Sequence, residues 1–365
     1  MRKNCFGYPV EFVENAFGES DVLASTLKKV TGSDEPKVLI VADMNVVQRI
    51  EGLGSKIGRY VQEHGIRLAG SPVVISGGEK VKADNLQSAL KIVSDLLSAK
   101  IGRNDVVLAI GGDTVLDVAG YAASQVRGGV KLVRMPTTPA SMMDAAYADY
   151  AAVDSATVKD ALRVPSVPAA VVIDTGFAAS VLDGVWRGGI GEAVRLAAAC
   201  DAALLGKLEK LAASYRDRDV SALGEIVKAV HAVRAKKGGT SLGLWAAFRL
   251  ESMSGYKLPH GYAVSIGLCA DLGYAVGKEL LKPEVRERII GLLSTCGALD
   301  GINHSSHLLS QAENLMFGLD AWALSSGSAS IVVPCGVGKS VEEPAPDKEV
   351  FAQVLKKLSS TSTGN

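Results

Sequence analysis

The chain carries no surplus of either charge: 39 lysines and arginines face 39 aspartates and glutamates. Nucleic acids and anionic membranes select a basic excess or stripe, so neither is an expected partner. No window approaches the length of uninterrupted apolar sequence that a membrane-spanning helix needs. The opening stretch MRKNCFGYPVEF is basic but lacks the apolar run and small-residue cleavage site of a secretory signal. Cys5, Cys200, Cys269, Cys296 and Cys335 are odd in number and form no Cys-x-x-Cys. They read as reduced thiols in a cytoplasmic protein. The Gly-x-Gly-x-x-Gly fingerprint is also missing, so a standard Rossmann reading fails. What remains is an ordinary globular composition, 48 % hydrophobic and 21 % charged, in 365 residues, a length that suits two domains.

The first half alternates two kinds of pattern. Short apolar runs at 37–42, 72–75, 105–110, 130–135 and 169–173 read as buried strands. Helical periodicity covers 48–65 and 84–99, and a helix starts at Asp117. Such alternation predicts a parallel sheet flanked by helices. Beyond Asp174 long helical segments dominate, at 191–211, 220–237, 242–253, 264–281, 283–296, 307–319 and 347–358, with one β-like run at 330–334. The expected organisation is an N-terminal Rossmann-like α/β nucleotide-binding domain over 1–174 and an all-helical C-terminal domain over 175–365.

Open parallel sheets bind ligands at the carboxyl ends of their strands, and several motifs fall there. Asp43 and Asn45 follow the first strong strand; Asp43 suits either a ribose contact or a helix cap. Glu79 and Lys82 sit three apart at a helix start, which fits a nucleotide grip or a solvated helix terminus. Gly111-Gly112-Asp113 leads from a strand into the helix carrying Asp117. Adjacent glycines there let a pyrophosphate approach first-turn amides. Thr137 and Thr138 end another strand, and Asp144 follows.

The order of these motifs resembles the dehydroquinate-synthase-like family of sugar-phosphate cyclases, whose fold is shared with glycerol-1-phosphate and iron-dependent alcohol dehydrogenases. The similarity runs through KVLIVADMN (37–45), GGEKVK (77–82), GGDTVLDVAGYAAS (111–124), MPTTPASMMD (135–144), VVIDTGF (171–177) and PHGYAVSIG (259–267). The family turn has a third glycine where this chain has Asp113. The resemblance implies bound NAD, held by Asp43, Asn45, Glu79, Lys82, Gly111, Gly112, Asp113, Asp117, Thr137 and Thr138. NADP is not distinguished from NAD by these residues. In the cyclases NAD transiently oxidises a substrate hydroxyl, phosphate is eliminated and the hydride returns. The dehydrogenases perform the redox step alone, and both use a divalent metal. The resemblance also implies a homodimer, because Arg127 lies beside the position of a family interface arginine.

The metal site is where the chain departs from the family. Glu192 and His260 occupy two family ligand positions, His260 in a His-Gly turn. Leu244 and Phe248 stand where the family has its other metal histidine and a second active-site histidine. Catalytic zinc generally takes three protein ligands, so tight metal binding is not expected. Glu192 can instead pair with Arg195 across one turn, and His260 can serve as a hydrogen-bonded loop histidine. Arg195 replaces a family lysine, Tyr150 replaces another, and Lys159-Asp160 replaces a Lys-Asn pair. Asp144, Lys159, Arg195 and His260 are the expected substrate-facing residues. Tyr150, with Tyr147 and Lys159 in the same segment, is a candidate acid–base group. His231, His304 and His307 read as ordinary helix or surface histidines. Three functions follow in order: an NAD-dependent enzyme with altered chemistry on a small polyhydroxylated substrate; a catalytically silent paralogue that binds nucleotide or a partner; and a true 3-dehydroquinate synthase.

Overall fold

The structure, a computed structural model, describes residues 6–155 and 157–361, apart from the side chains of Asn303, His304 and Thr361. Cys5 and the side chain of His304 therefore lie outside the described residues. The chain divides into two compact units, Met1–Ala156 with Asp160–Val181, and Thr157–Lys159 with Leu182–Asn365. The division thus falls later than the boundary expected after Asp174, and residues 157–159 join the second unit.

The first unit runs β1 (Val10–Phe12), α1 (Val22–Thr31), β2 (Lys37–Asp43), α2 (Met44–Arg49), α3 (Leu53–Glu63), β3 (Arg67–Leu68) and β4 (Val73–Ile75). It continues through α4 (Gln87–Ser98), β5 (Val106–Gly111), α5 (Asp113–Gln125), β6 (Lys131–Pro136) and α6 (Pro139–Met143). A hairpin of β7 (Tyr150–Val153) and β8 (Leu162–Pro165) precedes β9 (Ala170–Ile173). Seven strands form one sheet in the order β1-β9-β6-β5-β2-β3, with β4 also on β2. Its pairings are parallel throughout. All six residues of β5 are buried, as befits a central parallel strand covered on both faces. Leu39, Val41, Val107 and Ala109 pack there with Ile92, Leu96, Val115 and Leu116 of α4 and α5.

From β2 the chain moves sideways to β3 and β4, then crosses back to β5 on the opposite side of β2. The strand order therefore reverses between β2 and β5. The crevice outside the carboxyl ends at such a reversal is the customary ligand position in open α/β sheets.

The second unit is helical: α7 (Asp183–Cys200), α8 (Ala202–Arg216), α9 (Val220–Lys237), α10 (Leu244–Met253), α11 (His260–Gly277), α12 (Pro283–Thr295), α13 (Asp300–Leu309), α14 (Ala312–Ser326) and α15 (Lys348–Thr361). It also holds one antiparallel hairpin, β10 (Ile331–Gly336) with β11 (Lys339–Glu343). The central α11 is buried on nearly all sides, which explains its almost uniformly apolar sequence. It crosses α7 at backbone contact: a Cβ on Gly261 would collide with the Gly188 carbonyl, and one on Gly191 would lie 2.5 Å from Ser265 Oγ. Gly243 and Gly267 make a similar close approach between α10 and α11.

Several expected boundaries shift for identifiable reasons. The helix expected over 191–211 is two helices, because Asp201 adopts extended angles and its side chain accepts from Leu204 N, starting α8. The 48–65 segment breaks at Gly52, which has φ +67°. The 307–319 helix is replaced by α13 and α14. The helix expected from Val264 begins at His260, directly after Pro259, so His260 is a first-turn helical residue rather than part of a turn. Among the described residues no helix is long and apolar enough to cross a membrane.

Candidate active site

At the carboxyl end of β2, Asp43 Oδ1 accepts from Asn45 N at 2.8 Å and Asn45 Nδ2 at 3.0 Å. Asp43 therefore caps α2, and burial raises its carboxyl above the usual range despite these bonds. Gly77, just beyond β4, sits against this pair; a Cβ there would be 2.8 Å from Asn45 Nδ2. At the end of β5, a Cβ on Gly111 would lie 2.5 Å from Val115 Cβ. Gly112 is the N-cap of α5 and offers no side-chain cap; a Cβ there would lie 3.0 Å from Thr138 Cγ2. Asp113 occupies the first turn of that helix. Thr137, after β6, is buried, and its Oγ1 has no hydrogen-bond partner among the described residues. Thr138 closes a capping box with Ser141 that starts α6.

Glu79 and Lys82 turn inward rather than to solvent. Thr114 Oγ1 donates to Glu79 Oε1 at 3.0 Å. Lys82 Nζ lies 2.6 Å from Asp117 Oδ2, 2.9 Å from Asp160 Oδ1 and 3.6 Å from Asp154 Oδ1. Burial opposes the ammonium charge, but the carboxylates outweigh it and hold Lys82 well above its ordinary range. Burial, helped by the Asp160 charge, raises Asp117 in spite of Lys82. Tyr150 Oη donates to Asp160 Oδ2 at 3.4 Å, and Arg163 lies 4.9 Å above its ring. Burial and Asp160 push the phenol up, so it is a neutral donor near neutrality and poorly suited to act as a base. The cation beside Tyr150 is thus Arg163, while Lys159 belongs to the second unit. Tyr147 stacks on Phe6 at 5.0 Å.

Sequence reading passed over Arg134. It is buried on β6 and donates to the Ala148, Tyr150 and Ser166 carbonyls at 2.5, 3.2 and 3.0 Å. It pins the segment that carries Asp144, the C-cap of α6. The same unit has a cavity of about 440 Å³ whose walls include Phe17, Leu53, Phe177 and Ser180, with Arg49 and Lys56 among its charged lining residues.

In the second unit five charged residues form a line. Arg195 Nε and Nη2 are each 2.5 Å from Glu192 Oε2, and Arg195 Nη1 donates to the Thr240 carbonyl. Glu192 Oε1 lies 3.2 Å from His260 Nε2. His260 Nδ1 lies 2.8 Å from Glu251 Oε1, whose other oxygen is 3.2 Å from Lys159 Nζ. Burial would lower the imidazole, but Glu251 and Glu192 prevail and raise it well above its ordinary range. Lys159, Arg195 and His260 are therefore brought together; Asp144 and Tyr150 belong to the other unit. Glu251 lies on α10 one turn beyond Phe248. Phe248 and Trp322, their ring centroids 6.3 Å apart, line a small cavity that Lys159 also borders. Asp271 accepts from Gly243 N at 2.6 Å and Trp245 Nε1 at 2.8 Å, fixing the start of α10. Its signal was a single acid within an apolar helix. Among the described residues no group of three or more His, Cys, Asp or Glu side chains could hold a metal ion.

The fold is that of the sugar-phosphate cyclases. A solved 2-epi-5-epi-valiolone synthase from Streptomyces hygroscopicus subsp. jinggangensis 5008, with NAD+ and Zn2+ bound, superposes with a TM-score of 0.83, at 21 % identity over 97 % of each chain. The family models for the 3-dehydroquinate synthase N-terminal and C-terminal regions match residues 72–185 and 189–316. The 3-dehydroquinate synthase of Azotobacter vinelandii is 30 % identical over 253 residues, 65 % of this chain and 68 % of that one. That of Rhizobium johnstonii is 28 % identical over 313 residues, 80 % and 81 % of the two chains. The chain belongs to the 3-dehydroquinate synthase family.

Proposed function

We propose that the protein is an NAD-dependent enzyme, of cyclase/lyase or oxidoreductase type, acting on a small polyhydroxylated compound with or without a phosphate. The observation that carries this reading is the gathering of Asp43, Gly77, Gly111, Gly112 and Thr137 at the carboxyl ends of neighbouring strands around the β2/β5 reversal. The residues suit a dinucleotide. Gly112 leaves the N-terminus of α5 without a side chain, where a pyrophosphate can meet amides and a positive dipole end. The buried Thr137 hydroxyl awaits a partner. Bound NAD supplies a hydride acceptor.

The chain's own residues then divide the work. Asp43 and Asn45 hold ribose, and Glu79, Lys82, Asp113, Asp117 and Thr138 complete the cradle. Lys159, Arg195 and His260 of the second unit are the substrate-facing groups of this reading. The second unit's donors do not suit a divalent cation: Glu192 is occupied by Arg195, and each nitrogen of His260 already faces a carboxylate. A homodimer with Arg127 at its interface belongs to the same reading.

Two other readings have specific support. The matches to 3-dehydroquinate synthases favour that activity itself. The complete internal pairing of the charged line in the second unit favours a silent nucleotide binder. Calorimetric titration with NAD comes first; no binding at millimolar NAD overturns the enzyme reading. A screen of polyols and sugar phosphates under cofactor absorbance, with the 3-dehydroquinate synthase substrate included, then separates the three. Light scattering checks the dimer.

A further inference from the structure

The small cavity of the second unit, about 50 Å³, is walled by α10 and α14 and bordered by Lys159. A water-sized group needs ~10–15 Å³ of such space, so the cavity holds roughly three or four of them. Gly318 lets the two helices meet closely: a Cβ there would lie 2.8 Å from the Trp245 carbonyl oxygen. The walls are therefore in place before any ligand arrives. Val158, Ala321 and Ser325 line the cavity and are exposed, so it opens to solvent.

Its lining is carbon in character because the polar groups are engaged elsewhere. Trp245 Nε1 donates to Asp271 Oδ1 at 2.8 Å, and Trp322 Nε1 to the Ser330 carbonyl at 3.2 Å. Ser252 Oγ donates to the Arg249 carbonyl at 2.9 Å, and Ser325 Oγ to the Trp322 carbonyl at 3.1 Å. Phe248 completes the wall at the position where the family has a histidine. A ligand hydroxyl entering here gives up water and finds little to replace it. A hydrocarbon group gains instead, by about fourfold in affinity for each methylene buried. One lining residue brings a permanent charge. Arg249 Nε donates to the Asn314 carbonyl at 3.0 Å and its Nη2 to Asn314 Oδ1. Both acceptors are neutral, so they leave the guanidinium charge in place.

We propose that this cavity is a specificity subsite for a short hydrocarbon group carried by an organic anion, with Phe248 and Trp322 as the residues that select it. The anionic oxygens of that ligand turn to the Arg249 and Lys159 side. The proposal rests on the reading of Lys159 as a substrate-facing group. It narrows the substrate from any polyhydroxylated compound to one with an alkyl or deoxygenated stretch next to its negative charge.

The test titrates the full-length protein calorimetrically with acetate, propanoate, butanoate and 4-hydroxybutanoate at constant ionic strength. Affinity should rise about fourfold per methylene from acetate to butanoate, and 4-hydroxybutanoate should bind at least tenfold more weakly than butanoate. Phe248→Ala should move the preference to longer chains. Ala321→Leu, a change at an exposed helix position on the cavity's rim, should weaken butanoate at least tenfold. Equal affinity across the series, equal affinity for the hydroxylated probe, or wild-type butanoate binding by Ala321→Leu overturns the proposal. The wild-type series decides even if a variant fails to fold. No readout involves NAD or turnover, so failure of the subsite and failure of the nucleotide reading are seen in separate titrations.

Discussion

Arg195 holds Glu192 across one turn of α7, with Nε and Nη2 both 2.5 Å from a single carboxylate oxygen. Neither side chain is more than 1 % exposed. Removing one partner of a buried pair strands the other charge, a loss of about 3–5 kcal/mol. Arg195→Met should lower unfolding stability by that order in urea denaturation. Arg195→Lys should recover part of it, because a lysine lacks the planar fork that reaches one acid through two nitrogens.

Lys82 is the counterpart in the first unit. Three carboxylates, on Asp117, Asp154 and Asp160, surround its ammonium. Lys82→Met should destabilise by about 3–5 kcal/mol and weaken NAD binding at least tenfold, measured by calorimetry. Stability should recover partly in acid, where protonation removes repulsion among the acids.

Gly111 leaves no room for a side chain, since a Cβ would stand 2.5 Å from Val115 Cβ. Gly111→Ala should cost about 1–3 kcal/mol through overpacking and reduce NAD affinity by displacing the start of α5. Gly78, with φ +94° and open space around its Cβ position, offers a contrast. Alanine there should strain the backbone without a clash, so the smaller loss in affinity should come without a repacked core.

Asp271 gives a pH dependence of defined sign. Burial raises its carboxyl from 3.8 to about 7, against two donated hydrogen bonds. The folded state then binds the proton more tightly than the unfolded chain. Stability should fall as pH rises from about 4 to about 7 and level off above, by an amount on the order of a few kcal/mol. Asp271→Asn should flatten that slope in melting curves recorded across the window.

Tyr150→Phe separates a structural role from a chemical one. The Tyr150 hydroxyl is 3.4 Å from Asp160 and its phenol is raised by burial, so its loss should cost under about 1 kcal/mol of stability. An acid–base role predicts that turnover is abolished with NAD affinity unchanged; full turnover in the variant would remove Tyr150 from the mechanism.

Much of the first unit was legible because parallel strands buried on both faces are written as unbroken apolar runs. The runs ending at Asp43, Gly111 and Pro136 are the strands β2, β5 and β6. β1 escaped notice because Val10–Phe12 has an intermediate–exposed–intermediate burial pattern and gains its place by pairing with β9, far away in sequence. The β7–β8 hairpin was hidden for a similar reason: Leu162 and Arg163 are exposed, so no alternating pattern marks the strand. Within the site, Arg195 beside Glu192 was readable from i,i+3 spacing on one helix. The Glu251–His260 link was not, since Nδ1 finds its acceptor nine residues back across a helix end. Lys82 looked like a solvated helix residue because nothing local reports that Asp154 and Asp160, more than seventy positions later, close over it.

The contact of α7 and α11 through Gly188, Gly191 and Gly261 has a wider bearing. Two main chains lying directly on each other fix how Glu192 and His260 stand without help from the groups around them. Side chains elsewhere, such as Leu244 and Phe248, can then be exchanged while the carboxylate and the ring keep their mutual placement. A scaffold of that kind tolerates point changes around the pair, because the frame that places Glu192 and His260 is backbone lying on backbone.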